Sequence, residues 1–249
     1  MIFRILFATA ILLVAPWRTC HAIPPVALSG TIELRVEAGH LWSKWRALQK
    51  KIDKERATYI ACRNDSARCP NKATRRWLSL SRRQTGRIAL ASIEEINRFI
   101  NLHPYRSDLR QFGKSDYWAS PLEFLGRGGD CDDYAIAKYV ALANLGVSSD
   151  TLRMAVVKDE ATDSVHAVVT LFRDRQYLLL DNLDDKLVPD TSRPNYVPMF
   201  SFSADGMWQH LPQGLLLSRE YPHDDGPLLQ QFASIEPCLV PPACYVKDW

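Results

Sequence analysis

One cysteine lies in a setting typical of reactive thiols. Cys131 belongs to the acidic segment 128–134, where it follows a pair of glycines and stands between carboxylates. Residues at helical spacing from Ala135 to Leu145 predict that Cys131 opens a helix. The positive end of a helix dipole favours a thiolate, whereas neighbouring carboxylates oppose it unless a cation neutralises them. The pattern favours a nucleophile beside a cation, and a buried inert thiol is the alternative.

The two carboxylates beside this cysteine are candidate metal ligands. Asp130 and Asp132 flank Cys131 at a turn supported by glycine. Carboxylate oxygens suit a hard cation, and calcium is common outside the cytoplasm. In the alternative interpretation Asp130 caps the helix, while Asp132 and Asp133 complement its dipole. The residues alone leave both interpretations open.

A histidine and an aspartate on neighbouring predicted strands could complete a triad. His166 is a polar residue in an otherwise apolar strand, and such a histidine is more often structural than catalytic. If the hairpin loop is 173–176, Asp181 faces Val168 and lies diagonal to His166. If the turn tightens to 173–174, Asp181 faces His166 directly. Both registers place the two side chains on one face, so Asp181 could orient the imidazole as a general base.

The other histidines lack such a carboxylate at a fixed structural offset. They are interpreted as ordinary polar residues: His40, His103, His210 and His223. The predicted catalytic order is therefore Cys131, His166, Asp181, with the oxyanion near the Cys131 backbone N–H. Trp118 either lines the cleft or packs in the core.

The elements that must position these groups follow an α+β pattern. A helix is predicted from Leu41 to Ile52, and a second begins at a capping box of Ser92 and Glu95 and ends at Pro104. Beyond the cysteine helix the period changes from helical to alternating. Strands are predicted over 152–156, 165–172, 177–183 and 197–202. Helices followed by an antiparallel sheet predict an α+β fold.

The composition and the first 22 residues limit the classes of protein to which the chain could belong. The chain has 249 residues, 47% hydrophobic and 24% charged, as in ordinary globular proteins. Residues 1–22 resemble a removable export signal, which leaves 23–249 as a single predicted domain. The formal charge of +3 does not favour a nucleic-acid partner, and no later stretch reaches the roughly 20 apolar residues of a membrane anchor. A basic segment, 44–87, indicates solvated helix faces, or alternatively an acidic partner or an anionic surface.

The cysteine count isolates Cys131. Five cysteines remain after the predicted signal, and an oxidising compartment favours pairing. Cys62 and Cys69 close one short loop, and Cys238 and Cys244 close another. Both pairs are predicted to be local disulfides, which leaves Cys131 outside the predicted disulfides.

Four segments carry a specific resemblance. Residues 117–125, 129–139, 166–168 and 180–183 resemble the bacterial transglutaminase-like cysteine proteinases of the LapG type, which have a papain-like core. Asn97, Tyr105 and Asp108 also fall where that family carries such residues. The similarity spans roughly Leu41 to Trp208, and the cysteine block is its specific part.

The resemblance implies a function and a set of roles. Members of this family are periplasmic, calcium-dependent endopeptidases that cut near the N-terminus of a large, LapA-like surface adhesin and release it. A LapD-like inner-membrane receptor for cyclic-di-GMP sequesters them. Carried over, Cys131 is the nucleophile, His166 the base and acid, Asp181 the orienting residue, and Asp130 with Asp132 the Ca²⁺ ligands. The family usually has glutamate where this chain has Asp132, which implies a weaker or reshaped ion site.

Two other functions fit the same residues. A transglutaminase-like acyltransferase or a cell-wall peptide hydrolase would keep the triad and change the substrate or the acceptor. A catalytically inactive module would only bind an adhesin or a receptor. An intact set of Cys131, His166 and Asp181 favours an enzyme over such a module.

Overall fold

The computed structural model describes residues 27–212, in which one edge strand precedes six helices and the other six strands of an antiparallel sheet follow them. The helices are α1 His40–Asn64, α2 Lys72–Leu80, α3 Leu90–Asn101, α4 Asp108–Phe112, α5 Pro121–Arg127 and α6 Cys131–Leu145. The strands are β1 Ile32–Arg35, β2 Leu152–Asp159, β3 Ser164–Arg173, β4 Gln176–Asp181, β5 Asp184–Pro189, β6 Tyr196–Phe202 and β7 Met207–Leu211. The sheet has the order β1-β7-β6-β2-β3-β4-β5. This arrangement confirms the α+β prediction.

The main core lies between the helices and one face of the sheet. Helix α6 is buried along nearly its whole length and packs on β2, β3 and β4, so it is the central helix of the fold. Its apolar residues meet alternate strand residues, as the period of a strand requires. Among them are Ile136, Leu142, Leu145, Met154, Val169 and Leu180. A smaller cluster covers the opposite face of the sheet around Val157, Val168 and Leu179.

The predicted capping box at the start of α3 is wrong. Helix α3 begins at Leu90, its N-cap is Ala89, and no side chain caps it. Ser92 already lies inside the first turn, where its N–H donates to the Ala89 carbonyl over 3.1 Å. Burial of the apolar stripe, which includes Ile93, sets the helix, and the local cap signal does not.

A capping box does occur at α5, within a stretch that the sequence pattern assigned to a loop. The Ser120 side chain accepts the Glu123 N–H over 3.4 Å, and Glu123 accepts the Ser120 N–H over 2.9 Å. Pro121 fits the first helical position because its missing N–H has no intrahelical acceptor there.

The hairpin of β3 and β4 follows the first of the two predicted registers. Arg173 pairs with Gln176, and Val169 pairs with Leu180. The two turn residues, Asp174 and Arg175, have φ of 53° and 66°. This backbone is typical of a type I′ turn, whose twist matches that of the flanking strands.

One of the two predicted disulfides lies within the described residues. Cys62, near the end of α1, is bonded to Cys69. The predicted pair of Cys238 and Cys244 lies outside residues 27–212, as does the predicted signal 1–22. Within the described part of the chain, no helix combines the length and the apolar character that crossing a bilayer requires.

Candidate active site and acidic cluster

The turn before α6 is fixed by close backbone contacts. Tyr105 pairs with Gly129, and the Arg106 N–H donates to the Gly129 carbonyl over 2.9 Å. A Cβ on Gly128, whose φ is +80°, would lie 2.0 Å from the Pro104 carbonyl oxygen. Only glycine fits there, because a side chain would meet rigid backbone. The contacts set the point at which α6 begins.

Cys131 is the first residue of α6, as the sequence pattern predicts. It forms no disulfide with another described residue, and 9% of its surface is exposed. Helix α6 packs on β3, the strand that carries His166. A thiol at a helix N-terminus lies where the backbone N–H groups and the helix dipole favour negative charge.

His166 and Asp181 form a buried pair. His166 Nε2 lies 2.8 Å from Asp181 Oδ1, although the two residues are fifteen positions apart. Oδ1 also accepts the Leu183 N–H over 3.0 Å, and Oδ2 accepts the Tyr196 hydroxyl over 2.9 Å. Burial would raise the pKa of Asp181, but the His166 charge and these hydrogen bonds hold it well below the ordinary value. The structure thus joins two of the three predicted triad residues.

His210 shows what a buried strand histidine is like without a carboxylate. Its Nδ1 lies 2.8 Å from the Thr31 hydroxyl, and its Nε2 lies 2.9 Å from the Ser201 hydroxyl. Burial, with the nearby Arg153 charge, lowers the pKa of His210 to about 3. A neutral imidazole in this setting supports the sheet and does not take up a second proton at neutral pH.

Trp118 belongs to the core. It is 7% exposed, and its ring lies edge-on to Phe202 with centroids 5.5 Å apart. The Lys44 ammonium stands 4.5 Å from its centroid, a cation–π distance. Of the two interpretations of this residue, the structure supports packing.

Carboxylates cluster around the start of α6. Ligand atoms of Asp108, Asp116 and Asp132 lie within 4.8 Å of one another, and so do those of Asp108, Asp130 and Asp133. Asp108, at the start of α4, belongs to both sets and is 2% exposed. Each predicted metal ligand therefore lies in a set of three carboxylates that could hold a metal ion.

The electrostatics of the cluster fit a cation. Burial and the Asp130 and Asp133 carboxylates raise the pKa of Asp132 well above the ordinary value. Burial, Asp130 and Asp108 do the same for Asp133. Within residues 27–212 the buried Asp132 Oδ1 has no hydrogen-bond partner. Like charges held together raise each other's pKa, and a divalent ion with oxygen ligands would relieve this repulsion.

Asp133 has a structural role that the sequence pattern did not predict. The pattern indicated only that this residue complements the helix dipole. Its carboxylate accepts the Ala119 N–H over 2.6 Å and the Asp130 N–H over 3.3 Å. A Cβ on Gly129 would lie 2.1 Å from its Oδ2. The side chain therefore ties the cysteine turn to the loop before α5.

The sequence pattern missed part of the cluster. Asp116 lies in a loop, where no periodicity indicates which way a side chain points. Asp108 was indicated only by the resemblance, without a role. The acidic residues that precede the cysteine block can be recognised as metal-ligand candidates only once their loop is known to fold back on α6.

The fold and this site define a class of protein. A central helix that opens with a cysteine and packs on an antiparallel sheet is the arrangement of transglutaminase-like proteins. The family model of the bacterial transglutaminase-like cysteine proteinases (BTLCP) matches residues 52–214. Because this match covers more than half of the chain, the protein belongs to that family of cysteine proteases.

Solved structures agree with this assignment. LapG from Legionella pneumophila is 28% identical, with a TM-score of 0.51, over 67% of this chain and 92% of that one. A calcium-bound structure of Legionella LapG is 30% identical, with a TM-score of 0.51, over 64% of this chain and 87% of that one. An EGTA-treated structure of the same protein is 28% identical, over 66% and 91%, with a TM-score of 0.51. No curated protein sequence matches significantly.

Proposed function

We propose that this protein is a periplasmic, calcium-dependent cysteine endopeptidase that cleaves the N-terminal region of a large surface adhesin. Release of the adhesin would promote biofilm dispersal. The observation that carries the proposal is the buried His166–Asp181 pair on the sheet, against which α6 packs with Cys131 at its start. Membership of a cysteine protease family and likeness to LapG support it.

The proposed chemistry begins with the Cys131 thiolate. It attacks the carbonyl carbon of the scissile peptide, and the oxyanion lies near the Cys131 backbone N–H. Asp181 accepts a hydrogen bond from His166 Nε2–H, so Nδ1 is the nitrogen that exchanges a proton with the reacting groups. Protonated His166 gives this proton to the amine as the C–N bond breaks, which leaves a thioester.

Hydrolysis of the thioester completes the cycle. Neutral His166 takes a proton from water as the water oxygen attacks the thioester carbonyl. The C–S bond breaks, the sulfur leaves as the thiolate, and the new carboxyl group departs. Asp181 remains ionised throughout and holds the imidazole in one tautomer.

Calcium is the ion that we propose for the acidic cluster. The residues that would hold it are Asp108, Asp116, Asp130, Asp132 and Asp133. When bound, calcium supplies positive charge that neutralises these carboxylates and joins α4 to the start of α6. The calcium-bound and EGTA-treated forms of Legionella LapG support the choice of ion. Asp132 is one methylene shorter than the family's usual glutamate, so we expect a weaker site.

The proposed location and partners follow the family resemblance. Residues 1–22 would direct export, and the mature protein would work in the periplasm. An inner-membrane receptor for cyclic-di-GMP would sequester it, and the adhesin would be its substrate.

Purified protein incubated with N-terminal adhesin fragments tests the proposal. We expect cleavage with calcium, little cleavage with EGTA, and none by Cys131→Ala or His166→Gln. His210→Gln is the matched control, a buried strand histidine without a carboxylate, and should cleave normally per folded molecule. Full cleavage by Cys131→Ala would refute the proposal.

Product masses separate hydrolysis from acyl transfer. Hydrolysis adds one water across the cleaved bond, whereas transfer to an added amine leaves that amine on the acyl fragment. Products that carry the amine would replace the protease assignment with an acyltransferase.

A further inference from the structure

A lysine of α1 reaches the acidic cluster from outside the cysteine block. The Lys44 ammonium forms an ion pair with Asp116, one of the carboxylates that we propose as calcium ligands. The two side chains are only 14% and 16% exposed, so salt and water screen their attraction less than that of a surface pair. Asp116 therefore already has a cationic partner within the protein.

The Trp118 ring provides a second contact for this ammonium. Lys44 Nζ lies 4.5 Å from the ring centroid. The ring itself is fixed, because it packs edge-on against Trp45 and Phe202. A cation–π contact with a fixed ring attracts the lysine independently of Asp116. The ammonium is thus held beside the cluster even when its bond to Asp116 is broken.

The partner of Lys44 lies directly beside other carboxylates. The ligand atom of Asp116 lies within 4.8 Å of those of Asp108 and Asp132. The next residue, Tyr117, donates its N–H to Asp108 Oδ2 over 2.5 Å. Burial and neighbouring aspartates raise the pKa of Asp132, whereas the Lys44 charge acts in the opposite direction. One ammonium therefore compensates in part for several carboxylates.

The ammonium leaves part of the cluster without a partner. The buried Asp132 Oδ1 has no hydrogen-bond partner within residues 27–212. A divalent ion takes oxygen ligands from several carboxylates at once, whereas a lysine offers a single charge on a flexible stem. Two cations at one carboxylate repel each other. Asp116 can therefore bind Lys44 or calcium strongly, but not both.

We propose that Lys44 is the internal counter-cation of the acidic cluster, which holds Asp116 in the metal-free protein and releases it when calcium binds. The inference rests on the calcium site of the proposed function. Because Lys44 competes with calcium for Asp116, it lowers the affinity of the site. The lysine thereby sets the calcium concentration at which the site fills.

Lys44→Met tests this competition, because methionine keeps a flexible, unbranched stem and has no charge. We expect its dissociation constant for calcium, measured by isothermal titration calorimetry, to be about tenfold lower than that of the wild type. A lysine that only held the loop in place would give the opposite sign, since its loss would weaken calcium binding. A dissociation constant equal to or above the wild-type value in the folded variant would overturn the proposal.

Lys51→Met is the matched control. Lys51 lies two helical turns further along α1, pairs with Glu123, and has its Nζ 4.4 Å from the ring centroid of Tyr117. Glu123 belongs to neither of the two carboxylate sets found among residues 27–212. The control variant should change the dissociation constant for calcium by less than about twofold.

A double-mutant cycle identifies the carboxylate through which Lys44 acts. In an Asp116→Asn background, Lys44→Met should no longer tighten calcium binding, because the shared carboxylate is gone. A gain in affinity as large as in the wild-type background would contradict the proposed competition.

Chemical labelling of the wild-type protein provides a test that needs no variant. Limited acetylation followed by mass spectrometry measures the reactivity of each lysine with calcium and with EGTA. Lys44 should react several-fold faster with calcium, since its ammonium has left Asp116, whereas Lys51 should react at the same rate in both. Equal labelling of Lys44 under the two conditions would also overturn the proposal.

These measurements separate the inference from the proposed function, because none of them uses adhesin cleavage. Equal calcium binding by the wild type and Lys44→Met would refute the role of Lys44 alone. If neither protein bound calcium, the proposed ion would be refuted, and the role of Lys44 with it.

Discussion

Two aspartates with the same exposure differ in the direction of their pKa shift. Asp181 and Asp133 are both 0% exposed. Three hydrogen-bond donors and the charges of His166 and Lys138 outweigh burial at Asp181, so its pKa is lowered. At Asp133, burial and the carboxylates of Asp130 and Asp108 dominate, so its pKa is raised. Burial alone therefore does not determine the charge of a buried acid.

The difference shows which site is complete within the chain. The carboxylate of Asp181 finds its donors and counter-charges within the chain, in His166, Tyr196, the Leu183 N–H and Lys138. The acidic cluster holds several carboxylates close together with few hydrogen-bond donors. A bound cation would compensate for their negative charge. We therefore expect substitutions around Asp181 to have large effects on turnover. Substitutions in the acidic cluster should have effects that depend on calcium.

Asp181→Asn should have the largest effect. An amide can donate to His166 Nε2 and favour the wrong tautomer, so we expect kcat on adhesin fragments to fall by about 10³-fold or more. Asp174→Asn, an exposed change at the hairpin tip, is the control and should leave kcat unchanged. A loss below about tenfold would mean that Asp181 does not orient the imidazole.

Asp108→Asn should remove much of the stabilisation by calcium, because Asp108 belongs to both sets of carboxylates. Calcium at 100 times its dissociation constant stabilises a protein by about 2.7 kcal/mol. Urea unfolding with calcium and with EGTA measures the difference. Without calcium the variant should be at least as stable as the wild type, since a like charge is gone. Equal stabilisation by calcium in both proteins would exclude Asp108 as a ligand.

Tyr196→Phe should have a moderate effect, because it removes one of the donors to Asp181. A hydrogen bond to a charged group contributes about 1.5 kcal/mol or more, so kcat should fall roughly tenfold while KM stays near its wild-type value. Steady-state kinetics on the same fragments check this. Tyr177→Phe is the control, since no hydrogen-bond partner of its hydroxyl lies within residues 27–212.

The smallest effect concerns pH and the metal-free protein. The raised pKa values of Asp132 and Asp133 mean that the folded state binds more protons than the unfolded chain above the ordinary value of 3.8. The free energy of unfolding in EGTA should therefore rise as the pH falls from 7 toward 5.

Asp181 does not contribute to this slope. Its pKa is lowered, so its stabilisation is complete above 3.8 and is lost only as the pH falls below that value. Urea unfolding in EGTA across the range measures the slope, and Asp132→Asn should flatten it. If the slope were the same in the variant, the repulsion within the cluster would be smaller than the structure indicates.

The cysteine helix and the hairpin were predictable because both signals are local. Periodicity from Ala135 to Leu145 marks α6, and alternation marks β3 and β4, so the parity of the strands places His166 and Asp181 on one face. The family assignment and the α+β fold predicted from these motifs are confirmed. Catalysis by the three residues stays a prediction that the proposed experiments address.

The features that the sequence did not predict depend on contacts between segments that are distant along the chain. Strands β1 and β7 pair with each other at one side of the sheet, and no local alternation predicted either. The acidic cluster needs the loop around Asp116 and the start of α4 to fold against α6. Lys138 was visible only as one charged residue on an apolar helix, since sequence spacing does not reveal that both sides of α6 are covered.

The tight turn at Asp174 and Arg175 fixes the position of Asp181, although it lies at the other end of β4. Adding or deleting one residue there would shift β4 by one position and send Asp181 to the opposite face of the sheet. Substitutions at the tip are a milder perturbation, provided that they tolerate positive φ. Natural variants should therefore differ freely in the identity of these two tip residues and hardly at all in their number.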